Sequence, residues 1–513
     1  MSTSQIVIFI TIIAYLLMVL GIGIYYSKKN ESVDDFYLGG RKLGPFVTAM
    51  SAEASDMSGW LLMGLPGVAY MTGIADAAWT AIGLAIGTYL NWLIVAKRIR
   101  RYSIVAGNSI TIPEFFSKRY HDDKNILMLI SAVIIVIFFI PYTASGFAAC
   151  GKLFNSLFGI NYFWAMIISA VVILLYTTMG GFLAASTTDF LQSIIMTIAL
   201  VVVLGFGVAS AGGVENVVDN AKSLVGYLSF TATHNMADNT SNPYGLLTII
   251  STIAWGLGYF GMPHILLRFM AISDEKKLKL SRRVATIWVV ISLTIAILIG
   301  IIGLGITKYG NIPDLTKNSG TAETIIVEIA NFLSTYGIFA AVVAGVILAG
   351  ILASTMSTSD SQLLAASSSI SENIVRSVFK VNISARAQMI VARVSVILIS
   401  IIAIILASDP DSSVFNIVSF AWAGFGAAFG PVVLFSLFWK RSNMYGALSG
   451  MVVGGVMVFV WKYLVRPIGG IWDIYELLPA FVAASIAIVV VSLLTKKPSD
   501  EIIEEFERVS AGN

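Results

Sequence analysis

Thirteen runs of about twenty mainly apolar residues fill most of this chain, and about twenty is the length an α-helix needs to cross the hydrocarbon of a bilayer. They cover 6–26, 45–71, 74–96, 125–154, 160–180, 189–210, 246–267, 284–306, 336–367, 389–407, 412–438, 443–464 and 477–495. Only 12% of residues are charged against 57% hydrophobic, and the mean hydropathy is +0.86. The sequence therefore predicts an all-α polytopic membrane protein with the lipid bilayer as its surround. The first run follows "MSTSQ", which has no basic start, and precedes Lys28 and Lys29, so it is expected to be a retained span rather than a leader.

The basic residues orient the spans. With the N-terminus outside, 26 of the 32 lysines and arginines fall in cytoplasmic loops and the tail, among them Lys28, Lys29, Arg41, Lys42, the "KRIRR" run and the stretch Arg268 to Arg283. The reading is N-out, C-in. The outer loops 211–245 and 307–335 have room for short helices, and the acidic end "DEIIEEFERVSAGN" reads as a solvated helix or a disordered tail. A net charge of +3 without a basic stripe gives no sign of a nucleic-acid partner, and the single Cys150 excludes a disulfide framework.

Two spans carry what a spanning helix should avoid. The second holds Ser55, Asp56, Ser58 and Gly59, then Pro66 and Gly67; the seventh reads "WGLGYFGMPH". Ionised groups and non-helical backbone at membrane depth are tolerated where they line a cavity or are wrapped in protein. The two interruptions are five spans apart, which fits two inverted five-helix repeats meeting at the midplane. The repeats would be 45–210 and 246–438, with 1–44 and 439–513 peripheral, all within one transmembrane domain 1–513. "GLGYFG" also satisfies G-x-G-x-x-G, but no strand precedes it, so it carries no dinucleotide meaning. In the ninth span Ser354, Ser357, Thr358 and Ser361 recur at spacings of three and four and share a face. Such a face serves helix packing or, with unwound carbonyls, a hard cation.

The strings "SAEASDMSGWLLMGLPG", "GGFLAASTTD", "WGLGYFGMPHIL" and the "MST" of span 9 resemble the sodium/solute symporter family, most nearly its PutP-type sodium/proline branch. The resemblance implies a LeuT-type 5+5 core with two discontinuous helices and, at the plasma (inner) membrane, sodium-coupled uptake of L-proline rather than an enzyme reaction. It implies a sodium site from the carbonyls of Ala54, Met57 and Ser354 with the hydroxyls of Ser357 and Thr358, and Asp56 close by. It implies a proline site from Ser58, Gly59, Tyr142, Trp255, Tyr259 and Pro263. Asp189 matches a position that some members use for a second ion, and Asp360 and Ser361 join it here as a candidate second ion site. The simpler role for Asp189 and Asp56 is capping a helix start. Glu53, beside Ala54, has no assigned role. Another solute, proton coupling, or an uncoupled channel or sensor remain the alternatives, and no obligate protein partner is evident.

Overall fold

Inside a bilayer every backbone amide has to be bonded within the protein, which confines so apolar a chain to helices. The computed structural model describes residues 2–27, 37–381 and 384–511. Its regular structure is helical apart from one antiparallel hairpin, Ala232–Asn235 against Thr240–Pro243. Lys28 and Lys29 lie outside the described residues.

The helices are α1 (Thr3–Ser27), α2 (Pro45–Asp56), α3 (Trp60–Thr72), α4 (Ile74–Val105), α5 (Ile112–Arg119), α6 (Ile126–Phe158) and α7 (Tyr162–Ser210). After α8 (Val214–Ser223) and the hairpin come α9 (Leu246–Gly261), α10 (Pro263–Ala271), α11 (Glu275–Lys308), α12 (Ile325–Ser334), α13 (Ile338–Val378) and α14 (Ala385–Leu406). The chain ends with α15 (Val414–Phe438), α16 (Met444–Ile468), α17 (Leu477–Leu494) and α18 (Asp500–Ala511). Among the described residues ten helices are long and apolar enough to cross a membrane, eleven if the bent pair α9–α10 is one span.

Three interruptions organise these helices. The first separates α2 from α3: Met57, at φ −77° and ψ 70°, leaves the helix, and Trp60–Gly64 then winds as a π-helix. The second lies between α9 and α10. Residues Ala254–Gly261 tighten into a 3-10 helix, Met262 is extended, and Pro263 takes the first position of α10, where its missing N–H costs nothing. The two halves meet at 48°. The third is at Gly181, whose φ of 66° and ψ of −171° break the long run α7 into two helices at a conformation closed to other residues.

Around the second break the helices approach closely. A Cβ on Gly258 would overlap the indole of Trp422 in α15, and one on Gly256 would overlap the backbone of α4 at Gly83.

The tail is a helix, as one of the two expectations had it, but it is docked on the bundle rather than free in solvent. Ile502, Phe506 and Val509 of α18 are buried against the end of α4. Arg98 of α4 places its guanidinium 4.6 Å from the Phe438 ring and 5.8 Å from the Phe506 ring. The acidic residues face outward and the apolar ones, four and three apart, form one packing stripe. The loops 211–245 and 307–335 carry helices as expected, with the hairpin in addition.

Gly258→Ala is expected to destabilise the protein by about 1–3 kcal/mol, because the added methyl displaces a packed indole. Gly455→Ala is the control, since a Cβ there meets only Ala428 at 4.0 Å. Thermal unfolding midpoints of the two detergent-solubilised variants check this.

Candidate functional site

Ending α2 at Asp56 frees carbonyls in the protein interior, and side chains of other helices bond them. Ser357 Oγ of α13 donates to the Ala54 carbonyl at 2.8 Å and lies 3.1 Å from the Ser354 carbonyl. Thr358 Oγ1 donates to the same Ser354 carbonyl at 3.0 Å. Ala54, Ser354, Ser357 and Thr358 thus form one buried oxygen network between α2 and α13. Met57 sits in the adjoining turn, its N–H bonded to the Glu53 carbonyl at 2.8 Å. Bonding back to the preceding turn and facing α2 occur together here.

Asp56, the last residue of α2, is a hub. Its carbonyl accepts from Tyr142 Oη of α6 at 3.1 Å and from Trp60 Nε1 at 3.0 Å. Its Oδ2 accepts from Tyr259 Oη of α9 at 2.7 Å, while Oδ1 is buried without a protein partner. The side chain does not cap the helix that follows. Ser58 lies in the turn with its hydroxyl 3.4 Å from the Trp60 N–H. Gly59 abuts α6 and α13: a Cβ would meet Ala149 Cβ at 2.8 Å and Thr355 Oγ1 at 3.5 Å.

Above this hub the aromatic rings close together. Trp255 stacks on Tyr475, with centroids 5.1 Å apart and planes 19° apart, and packs on Phe415 at 5.2 Å and Trp60 at 6.4 Å. Trp422 meets Tyr259 edge-on at 5.0 Å and donates its indole N–H to the Trp255 carbonyl at 2.7 Å. Trp255 and Tyr259 are buried, which rules out an interfacial belt. Phe415 is seated by a buried carboxylate: Glu323 accepts from the Val414 and Phe415 amides at 2.9 and 3.1 Å and pairs with Lys152 of α6 at 2.8 Å. Trp60, Phe415, Trp422 and Tyr475 were not singled out in the sequence. Pro263 contributes through the backbone, starting α10, and His264 beside it is buried with its ring 5.7 Å from Phe139.

The second acidic group is not a cap. Asp189 lies eight residues beyond the Gly181 break, inside a helix, and its Oδ2 accepts from Ser51 Oγ at 2.7 Å and Arg268 Nη2 at 3.2 Å. Arg268, read from the sequence as a loop residue at the end of a span, is 1% exposed in α10. Its guanidinium also donates to Ser361 Oγ at 2.5 Å, Ser51 Oγ at 3.1 Å and the His264 carbonyl at 3.0 Å. Ser361 Oγ in turn donates to Asp360 Oδ1 at 3.1 Å. Asp189, Asp360 and Ser361 are therefore brought together, with an arginine among them that sequence reasoning missed. The signal was there: Arg268 follows His264 by four residues inside an apolar helix. One oxygen of each acid, Asp189 Oδ1 and Asp360 Oδ2, is buried without a protein partner.

The family model described as the sodium:solute symporter family matches residues 36–454. The chain belongs to this family. It is 41% identical to "Sodium/proline symporter 2" of Staphylococcus saprophyticus, over 98% of this chain and 95% of that one. It is 42% identical to the "High-affinity proline transporter PutP" of Bacillus subtilis over 94% and 98%, and 41% identical to the "Osmoregulated proline transporter OpuE" of the same organism over 96% of each. Among solved structures, a Na+-coupled sialic acid symporter in a substrate-bound, outward-open state superposes with a TM-score of 0.77 at 18% identity, covering 96% of this chain and 98% of that one. Mhp1, a nucleobase-cation-symport-1 family transporter, superposes at 0.54 with 14% identity over 92% and 98%. The fold is the LeuT-like transporter fold.

Breaking one side of a buried ion pair strands the other charge, at about 3–5 kcal/mol. Arg268→Met is expected to show that loss in the unfolding midpoint, and adding Asp189→Asn to it is expected to recover part of the loss. Equal midpoints for the single and double variants would contradict a pair between them.

Proposed function

We propose that this family member accumulates L-proline by sodium symport, with the two breaks forming the binding centre. The observation that carries the reading is the convergence on Asp56. Its α2 terminus meets the α13 hydroxyls on one side and the aromatic cage of α9 and α15 on the other. The names of the relatives at about 41% identity across nearly the whole chain support proline as the solute.

In this reading sodium takes the carbonyls of Ala54, Met57 and Ser354 and the hydroxyls of Ser357 and Thr358. Five neutral oxygens suit a monovalent ion that has to leave again. Asp56 makes the surroundings negative. Proline lies beside it, its carboxylate toward the freed amides after Ser58 and Gly59 and its ring against Trp255, Tyr259 and Tyr142. A half-helix N-terminus favours an anion, and an aromatic face attracts the secondary ammonium. Pro263 shapes the far wall. Asp189, Asp360 and Ser361 form a second cationic station, filled by Arg268 in this conformation.

The same reading assigns thirteen spans. The α2–α3 pair and the part of α7 before Gly181 add to the bent pair and the ten long helices, which already include the part of α7 after Gly181. Residues 45–210 and 246–438 become the inverted repeats, and the N-terminus is outside. One sodium entering down 100 mV supplies about 2.3 kcal/mol, and a tenfold sodium gradient adds about 1.4 kcal/mol. Together these sustain a proline gradient of a few hundredfold.

Proteoliposomes of the purified protein are expected to accumulate radiolabelled L-proline with an inward sodium gradient and not with choline. Ser357→Ala or Thr358→Ala is expected to raise the half-saturating sodium concentration by about 10–100-fold, which corresponds to one hydrogen-bonding group lost from a charged ligand. Sodium-dependent uptake of a different solute would keep the ion site and remove proline. Uptake driven by a pH gradient in choline would remove sodium.

A further inference from the structure

A buried carboxylate next to the Ala54 carbonyl and a π-wound turn in α4 belong to neither the oxygen network nor the aromatic cage. Glu53 is 1% exposed. Its Oε1 accepts from Trp92 Nε1 at 2.8 Å, and its Oε2 lies 3.5 Å from Thr88 Oγ1, both on α4. Trp92 belongs to Asn91–Val95, which winds as a π-helix. Such bulges are rare and gather at functional sites.

This turn puts two consecutive side chains on the two halves of the broken helix. Asn91 Nδ2 donates to the Tyr259 carbonyl at 3.0 Å, within the 3-10 part of α9. The Trp92 ring meets Phe269 of α10 with centroids 4.4 Å apart and planes at 61°. Tyr259 Oη then returns to Asp56 Oδ2 at 2.7 Å. A closed ring of contacts leaves α2 at Glu53, passes through Trp92, Asn91 and Tyr259, and re-enters α2 three residues later at Asp56.

We infer that Glu53, Trp92 and Asn91 are positioning residues that couple ion binding at the end of α2 to substrate binding at α9. The inference rests on the symport reading. Ordering the α2 terminus against α13 fixes the Glu53 carboxylate, which holds the Trp92 indole. The adjacent Asn91 then sets the Tyr259 backbone, and with it the wall of the aromatic cage. None of the three touches ion or solute. Coupling between two sites is a free energy that acts equally in both directions, commonly worth 5–150-fold in affinity.

The test is equilibrium binding of radiolabelled proline to purified protein, without sodium and at saturating sodium, giving the factor by which sodium tightens proline. Trp92→Phe keeps an aromatic ring beside Phe269 and removes the N–H together with the second ring of the indole. Glu53→Met removes the acceptor, whereas Glu53→Gln keeps one. The expected result is a fall in the factor of about fivefold or more in Trp92→Phe and Glu53→Met, with Glu53→Gln within about twofold of wild type. A smaller fall in Trp92→Phe overturns the bridge, and Trp92→Phe alone decides should Glu53→Met not fold. Glu53→Gln falling as far as Glu53→Met overturns positioning in favour of charge. A wild-type protein whose proline affinity ignores sodium sinks the symport reading and the bridge with it, an outcome distinct from a wild-type effect that survives in the variants.

Discussion

The carbonyls released where α2 stops are buried at membrane depth, and the protein supplies their partners. It does so with side chains from three other helices. Ala54 is bonded by Ser357 of α13, Asp56 by Tyr142 of α6 and by Trp60 of α3. The second break follows the same rule, with the Trp255 carbonyl bonded by Trp422 of α15 and the Tyr259 carbonyl by Asn91 of α4. Each break thereby becomes a junction where distant helices must meet. An unbonded peptide carbonyl in hydrocarbon costs several kcal/mol, so these junctions fix the arrangement of the bundle as firmly as its apolar packing does.

The packing then follows the junctions. Trp422 can reach Trp255 because Gly258 leaves room for its indole, and α4 can cross α9 because Gly83, Gly87 and Gly256 let backbones touch. Close approach at glycines is how membrane helices gain contact where lipid removes the hydrophobic drive between them. The polar bonds and the small residues are thus two parts of one device. The small residues bring the helices near enough for the donors to reach the freed acceptors.

Much of this was legible in the chain. Asp56 with Gly59, Pro66 and Gly67 marks the first break, and Gly256, Gly258, Gly261 and Pro263 mark the second, because each is unfavourable in a spanning helix and their coincidence has few explanations. The hydroxyls of α13 stood out through their three-and-four spacing. The cage partners Trp60, Phe415, Trp422 and Tyr475 did not, since a buried aromatic in an apolar run has the same local pattern whether it lines a site or fills a core. Arg268 was hidden for a related reason. It sits near the end of a span, where a basic residue ordinarily marks the membrane boundary, and only the fold brings Asp189 and Ser361 around it. The α18 stripe of Ile502, Phe506 and Val509 was masked by the acidic residues between them.

The distribution of acids among partners has its own logic. Arg268 cannot leave, so the protein surrounds it with a carboxylate, two hydroxyls and a carbonyl, and its desolvation is met by strong fixed acceptors. Glu53 and Asp56 are given neutral donors instead, an indole and a phenol, which hold the carboxyl groups in place without pairing them to a fixed cation. The network of Ala54, Ser354, Ser357 and Thr358 lies beside these two acids and contains only neutral oxygens. On the symport reading that division is what an exchangeable cation requires. The field that draws it in comes from acids already engaged with other groups, and the atoms that touch it bind weakly enough to release it.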